Sequence, residues 1–284
     1  MQIHKKYLIH AFFATFTFFF LLLALGQSNY QADWPQKAFR DELYEPELAF
    51  INSLDVLEAY CDELYESLEN KAGMPYPEIV NEVIKRRFYH GYSYFHWRDN
   101  YVAYLLSFVT KPDAHAIVLP DDILRYPQGA CSQQAIVMMA LLQRKGFPVR
   151  KVGLYDPEAG YGHFVLEAQY GGRWHLFDPN MEPALRIVKE DTVLRYSARR
   201  LREIPAHVYS AYQDTSIARL IAHEHYTSYG DIDTPPAPNA TLYQQVSQVL
   251  SNTLWLCFLA AWGLYGFWAR RKQQQQAEVL VGES

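Results

Sequence analysis

Cysteine is scarce in this chain: Cys61, Cys131 and Cys257 are the three in 284 residues. None stands in a C-x-x-C spacing, so neither a zinc site nor a disulfide framework is indicated. Their odd number leaves at least one free thiol. A basic excess is also missing, the formal net charge being −5, which excludes the usual electrostatic footprint of nucleic-acid binding. No internal repeat occurs. Lys and Arg are absent from Gly26 to Gln36 and again from Ile221 to Ala269. Half of the residues are hydrophobic and a fifth are charged, a balance that calls for a packed core rather than disorder.

Two long apolar runs frame the rest. Tyr7 to Leu25 is interrupted by His10, Thr15 and Thr17 and is long enough to cross a hydrocarbon core as a helix. His4, Lys5 and Lys6 precede it. A second run, 250–269, carries Trp255, Trp262 and Trp268 and is followed at once by Arg270, Arg271 and Lys272. Positive flanks favour the cytoplasmic side, so both termini are expected inside and the middle of the chain outside. The expected organisation is a cytoplasmic N-terminus over 1–6, a transmembrane helix over 7–25, an extracytoplasmic region over 27–245, a second transmembrane helix over 250–269 and a cytoplasmic tail over 270–284. Ala24-Leu25-Gly26 before Gln27 also fits a signal-peptidase site, and either reading exports the middle of the chain. The expected location is the cytoplasmic (inner) membrane, with the central domain facing the periplasm or exterior. Membrane lipid is then a partner through both helices.

Within the exported region, Leu48 to Lys71 has apolar residues at helical spacing, among them Leu54, Leu57, Cys61 and Leu64. Cys61 lies on that stripe as a core residue. A second helix is expected from Pro77 to Phe88. The aromatic stretch Phe88 to Trp97 reads as core packing or a groove wall. Ala116 to Leu119 is a short apolar run, and Pro120-Asp121-Asp122 opens what reads as a loop through Pro127. Cys131 to Lys145 is expected to be a helix, stopped by Gly146 and Pro148. Pro148 to Tyr155 reads as a strand, and His163 to Tyr170 and Arg173 to Phe177 as two more, joined by Gly171-Gly172 as a two-residue hairpin turn. The prolines around Pro235 to Pro238 read as a tether back to the membrane.

Three residues stand out chemically. Cys131 opens a helix, where free N–H groups and the dipole favour thiolate, the nucleophilic form. If Tyr170 pairs with Arg173 across the hairpin, Asp178 falls opposite Val165, one diagonal step from His163 on the same face. The aspartate can then fix the imidazole tautomer and leave the second ring nitrogen for a thiol. His175 points to the other face, and Glu167 shares the favourable face but lies farther from Asp178.

These residues sit in an ordered set: Gly129-Ala130-Cys131, Ala135, Leu141-Leu142, Gly146-Phe147-Pro148-Val149-Arg150, Gly162-His163-Phe164-Val165-Leu166-Glu167 and Gly172-Arg173-Trp174-His175-Leu176-Phe177-Asp178-Pro179. Together they resemble the transglutaminase-like superfamily of papain-related thiol enzymes, over roughly Tyr76 to Asn180. Two positions depart from that family's pattern: Val165 stands where an aromatic is frequent, and Ser132-Gln133-Gln134 follow the cysteine. The resemblance implies an α+β transglutaminase-like or papain-like domain at about 76–180, with N-terminal helices and an antiparallel sheet, flanked by the two transmembrane helices. It implies Cys131 as nucleophile, His163 as general base and acid, and Asp178 as the orienting residue. Gln128 is the candidate second oxyanion donor beside the Cys131 N–H.

Such a site cleaves or transfers an amide, as a peptidase, deamidase or acyltransferase, on a peptide, protein or other amide in the cell envelope, and needs no cofactor or metal. A non-catalytic binding or assembly module in an envelope or surface-polymer system is the competing reading. A metal hydrolase built on His223-Glu224-His225 with Asp231 or Asp233 is a third, without a specified third ligand. No acidic loop for calcium is recognisable, and the sequence carries no signal for oligomeric state.

Overall fold

The computed structural model describes residues 2–27, 43–68, 74–109, 116–158, 160–181, 220 and 227–282. They divide into two compact units, one drawn from 1–30, 95–115 and 243–284, the other from 31–94 and 116–242.

The second unit is a helical layer against an antiparallel sheet. Pro46–Phe50 forms a 3-10 turn, followed by α2 at Leu54–Glu66. Ser53 caps α2 by accepting the Val56 N–H at 3.3 Å, and Leu54, Leu57 and Cys61 form its buried stripe. The helix α3 spans Tyr76–Arg87, with Pro77 in its first turn and Lys85, Arg86 and Arg87 in its last, as the helix dipole favours. Arg87 is fully buried and donates to the carbonyls of Ile51, Leu124 and Tyr126, tying three segments to the end of α3. Strand β1, Tyr89–His90, pairs in parallel with β2, Gln128–Gly129.

The central helix is α6, Cys131–Arg144. Ala135, Val137, Met138, Leu141 and Leu142 are fully buried on it, and it packs against α2, α3 and two strands of the sheet. The sheet has the order β5-β4-β3-β6, with β3 at Val149–Asp156, β4 at Tyr161–Tyr170, β5 at Arg173–Phe177 and β6 at Thr227–Tyr229. Gly171 and Gly172 make the β4–β5 turn with φ of 56° and 75°, values that a two-residue hairpin requires and glycine adopts freely. Arg150 on β3 binds the fully buried Glu167 carboxylate of β4 at 2.6 and 2.7 Å. Its guanidinium also lies over the rings of Trp174 and Tyr229, at 4.4 and 4.5 Å. One arginine therefore touches all three other strands.

Three parts differ from the sequence reading. The stretch expected as a loop from Pro120 begins with α5, Pro120–Leu124; proline at its start and Asp121 and Asp122 in its first turn suit a helix N-terminus. The turn between β3 and β4 is shorter than the gap between the expected strands Pro148 to Tyr155 and His163 to Tyr170, because Asp156 and Tyr161 are paired strand ends. Strand β6 is a short edge strand whose residues give no alternating pattern.

The first unit contains α1, Gln2–Gln27, and α7, which begins at Pro238 and ends at Gly282, longer at both ends than the apolar run alone. Lys6–Gly26 and Pro238–Gln276 are both long and apolar enough to cross a membrane. Within this unit α1 and α7 meet through Phe16 and Phe20 against Phe258 (5.4 and 5.2 Å between ring centres) and through the Trp262 Nε1–H, which donates to His10 Nδ1 at 2.7 Å. The helix α4, Tyr101–Ser107, belongs to the same unit and was not legible as a separate element.

Candidate active site

Cys131 is the first residue of α6 and is half-buried. As a first-turn residue its N–H has no acceptor within its own helix. Gln133 fixes this helix start. Its Oε1 accepts the N–H groups of Ala130 (3.2 Å) and Ser93 (2.9 Å), and its Nε2 donates to the carbonyls of Ser93 and Ile117, both at 2.9 Å. The next residue, Gln134, donates to the Gly129 carbonyl at 2.8 Å. The segment leading into Cys131 is thereby held at both Gly129 and Ala130.

His163 comes from β4, where alternation turns His163, Val165 and Glu167 to one face, and all three are buried. The hairpin register is Tyr170 with Arg173 through Leu166 with Phe177, which is the pairing expected from the diglycine turn. Asp178 follows the last paired residue and is buried. Its Oδ2 lies 2.8 Å from His163 Nε2, while its Oδ1 accepts the N–H groups of Asn180 (3.2 Å) and Met181 (3.0 Å). An aspartate that opens a turn commonly accepts such bonds. Both carboxylate oxygens are thus satisfied, which a buried charge requires. With Nε2 engaged, Nδ1 is the ring nitrogen left for Cys131, and the thiol and imidazole are electrostatically coupled.

The electrostatics follow from this placement. Burial pushes the Cys131 thiol up. The hydrogen bond and charge of His163, with the Phe164 N–H, outweigh burial and bring the thiol below its ordinary value. Burial alone would depress His163, but the charge and hydrogen bond of Asp178, followed by the bond to Cys131, raise it to about 10. Asp178 is pushed up by burial and held below the usual carboxylate range by His163 and the two turn N–H groups. The arrangement favours a thiolate–imidazolium pair beside an ionised carboxylate. By contrast, burial and the nearby Asp62 push Cys61 up to about 12, and it is an inert core thiol.

Gln128 lies on β2, three residues before Cys131. Its carbonyl accepts the Ser93 hydroxyl at 2.8 Å and its Oε1 accepts the Tyr89 hydroxyl at 3.3 Å, which orients the side chain and leaves Nε2 as a donor. His175 stacks on Tyr170 with ring centres 3.8 Å apart and sits 3.2 Å from the Tyr170 carbonyl, away from the cysteine. Glu167 is occupied by Arg150. Among the described residues no group of three or more His, Cys, Asp or Glu is placed to hold a metal. His223, Glu224 and His225 lie outside the described residues, and Asp233 accepts the Val149 N–H at 3.0 Å.

Sequence reasoning overlooked three features. Gln133 has the position of a capping-box glutamine, three residues after the N-cap, a signal that could have found it. The Phe164 N–H directed at the thiol is a backbone group and leaves no mark in residue type. At the exposed rim, His90 Nδ1 lies 3.0 Å from Asn180 Oδ1, a pairing across ninety positions that spacing cannot reveal.

Residues 82–179 match the model of the transglutaminase-like superfamily (Transglut_core). The match opens inside α3, contains Cys131, His163 and Asp178, and ends one residue beyond the aspartate. No curated protein and no solved structure matches the chain.

Proposed function

We propose that this protein is a membrane-anchored thiol enzyme whose transglutaminase-like domain works outside the cytoplasmic membrane. It cleaves or transfers an amide through Cys131, His163 and Asp178. The observation that carries this reading is the buried His163–Asp178 pair, 2.8 Å apart, coupled to a cysteine at a helix N-terminus whose thiol is shifted down. A structural cysteine in an apolar site shifts up instead, as Cys61 does.

The chemistry runs in two halves. The Cys131 thiolate attacks the amide carbon. The developing oxyanion is stabilised by the Cys131 N–H, with Gln128 Nε2 as second donor. The His163 imidazolium gives its proton to the departing amine, leaving a thioester and a neutral imidazole. That imidazole then takes a proton from water, giving hydrolysis, or from a second amine, giving transfer, and the thiolate is released as the new acyl bond forms. Asp178 stabilises the imidazolium throughout and itself stays ionised. The same residues serve both outcomes.

The positive flanks Lys5, Lys6 and Arg270 to Lys272 support cytoplasmic termini and hence an envelope substrate: a peptide, protein or other amide.

The test is alkylation of Cys131 by iodoacetamide between pH 5 and 9, beside His163→Ala. Wild type is expected to react rapidly already near pH 6 and the variant to lose that limb. Equal profiles that rise only toward the ordinary thiol value of about 8.5 would remove the catalytic reading and leave a binding module with the same fold.

A further inference from the structure

Asn100 to Thr110 contains no charged residue, while Arg98 and Asp99 stand before it and Lys111 after it. Inside this stretch α4 carries no charged side chain, and its Ser107 hydroxyl donates to the Tyr104 carbonyl at 2.6 Å. Tyr101 and Ala103 are buried, yet Leu105, Leu106, Phe108 and Val109 are 58, 38, 69 and 81 % exposed. A helix that is apolar all round belongs in a core or in lipid, and this one is covered on one side alone.

Its depth along the two apolar helices follows from contacts inside the first unit. The helices run antiparallel, with His10 against Tyr265 and Trp262, and Phe20 against Phe258. Continued toward the end of α1, that register brings Ser251 of α7 level with the last turn of the apolar span Lys6–Gly26 and Ser247 about one turn beyond it. The start of α4 is fastened at this level. Asn100 donates to the Ser247 hydroxyl at 2.9 Å and accepts from the Ser251 hydroxyl at 2.9 Å, and the Val102 N–H donates to Ser251 at 3.1 Å. The Tyr101 ring lies 5.7 Å from that of Phe20. Phe20 stands six residues before the end of the span, about 9 Å along a helix at 1.5 Å per residue. Interfacial helices bury their apolar faces by roughly 5–10 Å, so the level agrees.

We propose that residues 101–109 lie in the bilayer at the boundary between headgroups and acyl chains, with Leu105, Leu106, Phe108 and Val109 against lipid. The segment makes a third membrane contact, inserted in the middle of the family-matched sequence. This rests on the reading of α1 and α7 as membrane-spanning. The exposed residues belong to the same compact unit as those helices and follow a helix start fastened near the end of the apolar span through the buried Asn100, Ser247 and Ser251, so lipid is the occupant proposed for this face.

The experiment uses the intact protein in phosphatidylcholine vesicles that carry a phospholipid with a diazirine in its acyl chain, with adducts mapped by mass spectrometry after photolysis. Adducts on 105–109, at a yield comparable with those on Phe12, Phe18 and Leu22 of α1, are expected. Adducts on α1 and α7 with none on 105–109 overturn the proposal while the two spans stand. An absence of adducts from all three segments overturns the membrane-spanning reading itself, and the interfacial segment with it.

Discussion

The imidazole of His163 is held at Nε2 by the Asp178 carboxylate and coupled to the Cys131 thiol, and this makes the site's stability depend on pH in a definite way. Raised to about 10 by Asp178 and Cys131 against the cost of burial, His163 binds its proton more tightly folded than unfolded, where its value is about 6.5. The charge pair therefore contributes its full stability below about 6.5 and loses it as pH climbs toward 10. Asp178 is shifted the other way, so its share is present above its unfolded value of about 3.9 and disappears on acidification. Asp178→Asn removes the charge and keeps the shape. The difference in Tm between wild type and this variant is expected to be widest near pH 5 and to narrow toward both pH 3 and pH 10. A difference that stays flat from pH 5 to 10 would mean that His163 is neutral, and the thiolate–imidazolium pair would go with it.

At the scale of elements, the start of α6 depends on one amide. Gln133 is 1 % exposed and binds Ala130, Ser93 and Ile117, so replacing it leaves several buried backbone groups without partners. Gln133→Leu is expected to lower stability by about 3 kcal/mol, since each orphaned buried group costs roughly 1–3 kcal/mol, read as a lower urea midpoint. Cys131 is expected to lose its reactivity near pH 6 in the same variant, because the helix start it sits on is no longer fixed. Retained stability together with retained reactivity would show that the helix start is held by packing instead. The elements that the sequence made legible are those whose information is local: α6 through its apolar spacing and Gly146 stop, and the β4–β5 hairpin through Gly171-Gly172, which sets the register and so the approach of Asp178 to His163. The elements that stayed hidden depend on distant partners. Strand β6 exists through its pairing with β3, residues Val152 to Leu154 against Thr227 to Tyr229. Helix α5 is too short for a period to show, and its Asp121 accepts the Leu54 N–H at 2.7 Å from far along the chain. Helix α4 carries no polar face, so no amphipathic pattern separates it from its neighbours.

For the whole molecule, the open choice at the N-terminus was between a retained anchor and a removed signal peptide, and the packing of α1 argues for retention. Its Phe16 and Phe20 stack on Phe258, and His10 accepts from Trp262. Removing α1 would strip these partners from α7, and in hydrocarbon the indole N–H would have no water to turn to. A polar bond between two apolar helices is worth about 0.6 kcal/mol on average, so packing of the aromatic face supplies most of the attachment. With both spans retained, the positive flanks favour both ends of the chain on the cytoplasmic side. With an epitope tag at each end, the mature protein is expected to keep both tags. Protease added to the exterior of spheroplasts is expected to cut between the spans, leaving both tags on short membrane-protected fragments; added to inside-out vesicles, it is expected to remove the tags and leave the central region whole. Loss of the N-terminal tag from a mature protein of reduced mass would show that α1 is cleaved. Tags digested from the exterior would reverse the topology and move the proposed thiol chemistry to cytoplasmic substrates.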